Sequence, residues 1–68
     1  MRSWLTAARV EKGLKKGELA GLVGLDMTAI GKYERGERRP SYENCKALAD
    51  VLGFDWTRFF EEPPEKAN

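Results

Sequence analysis

The sequence predicts an all-α fold of five short helices, and three observations carry that prediction. Apolar residues recur at the 3.6-residue spacing of a helix face. No segment alternates with the two-residue period of a strand. Glycines and capping residues separate the apolar stretches. A chain of 68 residues makes one domain with a thin core and only a few kcal/mol of stability. That domain is expected over residues 1–62, with 63–68 a short tail, because Pro63 and Pro64 forbid helix continuation. No internal repeat, low-complexity stretch or linker to a second domain interrupts it.

The first helix is expected over residues 3–12, with Ser3 as N-cap, Leu5 and Ala8 facing inward and Gly13 as the stop. The second follows Leu14. Its N-cap position holds Lys15, which has no side-chain acceptor and puts a cation at the positive end of the helix dipole. Gly17 and Gly21 inside this helix each cost about 1 kcal/mol relative to Ala. Glu18 compensates by reaching back to the cap N–H, and Leu14 by packing on Leu19. The third helix starts at the N-cap Asp26, repeats the staple with Leu25 on Ile30, runs to Arg35 and ends at Gly36. The fourth covers residues 41–52, with Tyr42, Cys45, Leu48, Ala49 and Leu52 inward and Gly53 after it. The fifth is short, residues 55–61, with Phe54 stapled on Phe59.

Residues 16–35, KGELAGLVGLDMTAIGKYER, hold the most informative arrangement. Leu19, Ala20 and Val23 make one apolar stripe. Gly24 supplies a residue without Cβ where a helix ends in the left-handed conformation. Ala29, Ile30 and Tyr33 make the next stripe. Two short helices joined by a three-residue turn form a helix-turn-helix unit, whose second helix is built to enter the major groove of DNA. The arrangement resembles the phage Cro/repressor, or XRE-type, helix-turn-helix family. Ala20 is small where the helices cross, Gly24 is the turn glycine, and Leu19, Val23, Leu25, Ile30 and Tyr33 fill the apolar positions. Outside the unit, EKGL at 11–14, YERGERRPS at 33–41 and ALADVLG at 47–53 are similar to other family segments, so residues 3–60 are covered. The resemblance implies a compact five-helix, repressor-like DNA-binding domain. Lys15 and Lys16 depart from the family, which usually has Ser or Thr and often Gln at these positions.

Composition excludes other classes. There is no histidine, so His-based acid–base or nucleophilic catalysis is ruled out, and one cysteine is too few for an internal disulfide or a zinc site. No enzyme activity, cofactor or metal is expected. No apolar run is long enough to span a bilayer, which points to a cytoplasmic, nucleoid-associated protein without membrane contact. Net charge is only +1, but residues 1–39 carry nine Lys/Arg against five Asp/Glu, and residues 40–68 three against six. Such a balance of +4 against −3 orients a protein on a polyanion, although ordinary surface scatter also produces it.

The outward stripe of the third helix is Met27, Thr28, Gly31, Lys32 and Arg35. By resemblance, Met27, Thr28 and Lys32 reach base edges. Met27 suits a thymine methyl, Thr28 offers a hydroxyl and a methyl, and Lys32 can donate to guanine N7 and O6. Gly31 would let the backbone approach. Lys16, Arg35, Arg38 and Arg39, with the N–H groups opening the second helix, are the phosphate candidates. The bland alternative for both sets is a solvated surface. Arg9 and Glu34 lie at the edges of their helices' apolar stripes and match an ion pair joining the first and third helices in some relatives. The alternative places Arg9 on phosphate. Cys45 reads as a small buried hydrophobe. Phe54, Trp56, Phe59 and Phe60 either seal the core with Trp4 or form a dimer patch with Leu52, where the family often dimerises. The expected function is sequence-specific binding of double-stranded DNA in transcriptional regulation, by a two-fold homodimer on a pseudo-palindromic operator. The alternative is a DNA-binding antitoxin or similar regulator that holds a second protein on its C-terminal aromatic surface.

Overall fold

In a computed structural model of the chain, residues 1–61 are described. They form four α-helices: α1 (Ser3–Glu11), α2 (Lys16–Val23), α3 (Met27–Arg35) and α4 (Tyr42–Leu52). A 3-10 helix, Trp56–Phe60, follows. The fold is all-helical as expected, but with four α-helices rather than five, because the last element is too tight to be one. Only five residues separate its cap Asp55 from Glu61, and its bonds run i to i+3, from Arg58 N–H to Asp55 at 2.9 Å and Glu61 N–H to Arg58 at 3.2 Å. The expected tail, 63–68, lies outside the described residues. Among the described residues no helix is long and apolar enough to cross a membrane.

Local chemistry sets most boundaries. Asp26 caps α3 by accepting the Ala29 N–H at 2.8 Å, and Ser41 caps α4 by accepting the Asn44 N–H at 3.2 Å. Asp55 accepts both the backbone N–H and the hydroxyl of Thr57. These bonds, the backbone one foremost, hold its carboxyl below the usual range. At α2 only half a capping box exists. Glu18 accepts the Lys15 N–H at 2.8 Å, while the Lys15 side chain has no acceptor to return the bond. Between α2 and α3 the chain turns at Gly24 with φ +74°, and Leu25 N–H bonds back to Ala20.

The start of α1 departs from expectation. Ser3 is the first helical residue, and Arg2 occupies the cap position without a side-chain cap bond. Its side chain goes elsewhere. Arg2 Nη1 donates to the carbonyls of Tyr33 at 2.7 Å and Arg38 at 2.8 Å, and its N–H donates to Glu34 O at 2.8 Å. Only 7% of Arg2 is exposed. A guanidinium at the carbonyl end of α3 satisfies orphan acceptors and opposes the negative end of the dipole. This tertiary contact displaced the local cap.

Leu5, Leu19, Ile30, Cys45, Leu48 and Phe59 are fully buried and make the centre of the core. Trp4 packs edge-on against Phe54 and Phe59, with ring centres 5.1 and 5.0 Å apart. Tyr42 was expected inward but is 54% exposed. It is the first residue of α4, and its ring lies edge-on against Trp56 rather than in the core. Cys45 is buried with its thiol 3.4 Å from the Pro40 carbonyl.

One polar contact positions α3. Glu34 is 3% exposed, and its carboxylate accepts from Arg9 Nε at 2.6 Å, Arg9 Nη2 at 3.3 Å and Thr6 Oγ1 at 3.0 Å. Arg9 Nη1 donates to Leu14 O at 2.9 Å, so every edge of this guanidinium is used inside the fold. Glu34→Ala strands Arg9 beside the core and should cost about 3 kcal/mol in urea unfolding. Replacing Arg9 by Met and Glu34 by Leu together should cost much less. A double variant as unstable as the single one would mean that packing, not an unpaired charge, sets the loss.

Candidate nucleic-acid interface

Each turn of α3 carries one kind of residue inward and another outward. Ile30, Tyr33 and Glu34 face the core, while Met27, Thr28 and Arg35 are exposed and Lys32 is half-buried. The Asp26 cap fixes where the helix starts, and therefore which residues stand at its exposed tip. Met27 is 59% exposed, so its thioether is available at the tip of the helix.

Lys16 belongs to α2, yet it lines the same open depression as Met27, Thr28, Gly31 and Arg35. The lysine sits at the first turn of α2, and the α2–α3 crossing brings that turn beside the tip of α3. Gly17 lies against Met27: a Cβ there would be in ordinary van der Waals contact with the Met27 sulfur, at 3.8 Å. Two residues expected at different jobs, Lys16 on phosphate and Met27 on bases, thus share one concave surface. A cation, a thioether, a hydroxyl and a guanidinium around one depression suit a polyanion with mixed polar and methyl-bearing edges.

Gly31 does not expose its backbone. It is buried because the Arg35 side chain folds over it. A Cβ at Gly31 would sit 3.0 Å from Arg35 Nη1. Helical side chains lean toward the N-terminus, so residue i+4 covers residue i. Arg35 also pairs with Glu37, Nε to Oε2 at 2.8 Å and Nη2 to Oε1 at 3.3 Å. That hydrogen-bonded pairing holds the Glu37 carboxyl below its ordinary range and raises the arginine further. Glu37 carried no role in the sequence reading; it lies beyond the end of α3 and its cap Gly36. The left-handed turn at Gly36, φ +79°, swings Glu37 back beside Arg35.

Arg38 and Arg39 are exposed in the connection from α3 to α4. Arg39 does not stand free: its guanidinium lies over the Phe60 ring, 4.9 Å from the centre. Of the residues expected at a dimer patch, Leu52 is 5% exposed and belongs to the chain's own core, and Phe54 is half-buried against Trp4. Trp56 is half-buried and also packs against the core. It meets Tyr42 edge-on at 4.9 Å and Phe60 at 5.9 Å, forming a row whose two outer rings are about half exposed. Sequence reasoning missed Tyr42 here, although its place one turn before Cys45 at a helix start was a signal. Leu22 is 61% exposed on α2 with no role in this surface.

Comparisons with known proteins identify the family. A helix-turn-helix family model matches residues 5–59. The chain is 40% identical over 62 residues to an uncharacterised HTH-type transcriptional regulator, YqaF, of Bacillus subtilis, covering 91% of this chain and 82% of that one. It is 43% identical over 49 residues to a putative HTH-type transcriptional regulatory protein of Aeropyrum pernix, covering 72% of this chain and 15% of that longer protein. The match spans all four α-helices, with the shared turn and the outward face of α3 inside it. The chain belongs to the XRE-type helix-turn-helix family of DNA-binding transcriptional regulators.

Proposed function

We propose that this chain binds double-stranded DNA sequence-specifically to regulate transcription, with α3 in the major groove and two copies on a pseudo-palindromic operator. The carrying observation is the depression shared by Lys16, Met27, Thr28, Gly31 and Arg35, on the outward face of a helix whose opposite face is locked to the core. Met27 meets a thymine methyl, Thr28 a neighbouring polar edge, and Lys32 guanine N7 or O6. Lys16, Arg38 and Arg39 meet phosphates, together with the N–H groups that open α2. The protein works in the cytoplasm, on the nucleoid. Selection of bound duplexes from a random pool tests the reading. Recovery of no preferred sequence would end it.

Dimerisation is placed on the row of Tyr42, Trp56 and Phe60 rather than on Leu52 and Phe54. Exposed aromatics in contact with one another suit a small two-fold patch. The same row supports a second reading, in which a different protein occupies it and the chain acts as an antitoxin or similar partner-binding regulator.

Three measurements bear on these assignments. With about six phosphates neutralised by the dimer, the log–log salt slope should be roughly −5. Arg38→Ala with Arg39→Ala should weaken all sequences alike and flatten that slope; an unchanged slope removes the connection from the interface. Met27→Ala and Lys32→Ala should each cost about 1–3 kcal/mol on the selected site and little on random DNA. If neither alters the selected sequence, α3 is not the reader. Trp56→Ala should reduce cooperative binding to paired half-sites, about 34–36 Å apart, more than it reduces helicity. Loss of fold instead would assign Trp56 to the core.

A further inference from the structure

We propose that Arg35 reads guanine in the major groove, oriented by Glu37, rather than holding a phosphate. The inference rests on the DNA-binding reading above and names a base-specific contact within it. With about 100° of turn per residue, Arg35 projects between Gly31 and Thr28, near the middle of a face bounded by Met27 and Lys32. Its side chain folds back over Gly31, which brings the guanidinium one turn toward the tip of α3 and away from its exit. The glycine leaves room for it: a Cβ at that position would lie 3.0 Å from Nη1, and the guanidinium would have to shift by a few tenths of an ångström.

The donors of this guanidinium are unequally used. Glu37 takes the Nε–H and one hydrogen of Nη2, at 2.8 and 3.3 Å. Nη1 and the second Nη2 hydrogen form the end-on fork that remains. Two parallel N–H donors in one plane match guanine N7 and O6. A carboxylate on the side edge fixes that plane, so less side-chain freedom is lost when the fork docks. The same carboxylate argues against a phosphate role. The Arg35–Glu37 pair is neutral as a unit, and a phosphate approaching it would also approach the Glu37 oxygens. Among the described residues no carboxylate is bonded to Lys16 or Arg38. Glu37 is therefore a positioning residue, acting through Arg35.

The test is selection from a random duplex pool with the wild type, Arg35→Ala and Glu37→Gln, each checked for an unchanged melting transition. The wild-type site should contain one guanine per half-site whose preference disappears in Arg35→Ala. Replacing that guanine by 7-deazaguanine should weaken the wild type about 10-fold and Arg35→Ala not at all. Glu37→Gln removes a negative charge, so it should bind random DNA at least as tightly as the wild type while losing part of the guanine preference. A merely structural role for Glu37 would lower both together. If Arg35→Ala selects the same sequence with every site weakened alike, Arg35 is a phosphate contact and the proposal is wrong, while the DNA-binding reading stands. If the wild type itself selects nothing, both fall.

Discussion

The carboxylate of Glu34 is the point at which the molecule is tied together. It leaves solvent at the C-terminal half of α3 and enters the junction with α1, where a charge without partners would be costly. Arg9 and Thr6 supply those partners from consecutive turns of α1, and Arg9 spends its last edge on the Leu14 carbonyl, at the entry to α2. Three segments are thereby fixed by one ion pair. Arg2 closes the other side by bonding the Tyr33 and Arg38 carbonyls, so the exit of α3 is clasped from the chain's beginning. A helix held this way at its inner edge presents its outer face in one orientation, as a reader of base edges requires.

The cost of that arrangement is visible in the charges. Arg2 and Arg9 are consumed by structure, Arg35 is pinned by Glu37, Arg39 lies on Phe60, and Arg58 lies over Trp4 at 4.6 Å. A net charge of +1 therefore says little about attraction to a polyanion. What matters is where each cation is aimed and how much of its charge another residue has already neutralised. Lys16 lines the depression beside α3, and Arg38 is exposed in the connection that follows it.

The aromatic residues near the C-terminus divide by the same logic of available space. Phe54 and Phe59 close the core against Trp4, because a domain of this size has room for little more. Trp56 and Phe60 stand at the two ends of the 3-10 helix, where Trp56 meets Tyr42 and Phe60 meets Trp56. The closing aromatics of the core and the exposed row are thus built from one short segment.

The sequence by itself determined the helices and the turn between α2 and α3. Asp26, Ser41 and Asp55 cap through bonds to residues two or three positions away, and Gly24 turns the chain through its own φ. Such interactions are local, so residue order suffices to find them. The inward stripes were legible for the same reason, since 3.6-residue spacing is a property of one helix alone. Only the tertiary structure decided the fate of the long side chains. Arg2 bonds residues 31 and 36 positions away, Lys16 joins the tip of α3 through a helix crossing, and Tyr42 turns outward to meet Trp56. The Arg35–Glu37 pair, though close in sequence, also waited on the fold, because it exists only after Gly36 reverses the chain. Arginine and lysine have four or more rotatable bonds and can satisfy their donors in many places. Which place wins depends on neighbours assembled by packing, and sequence order does not carry that information.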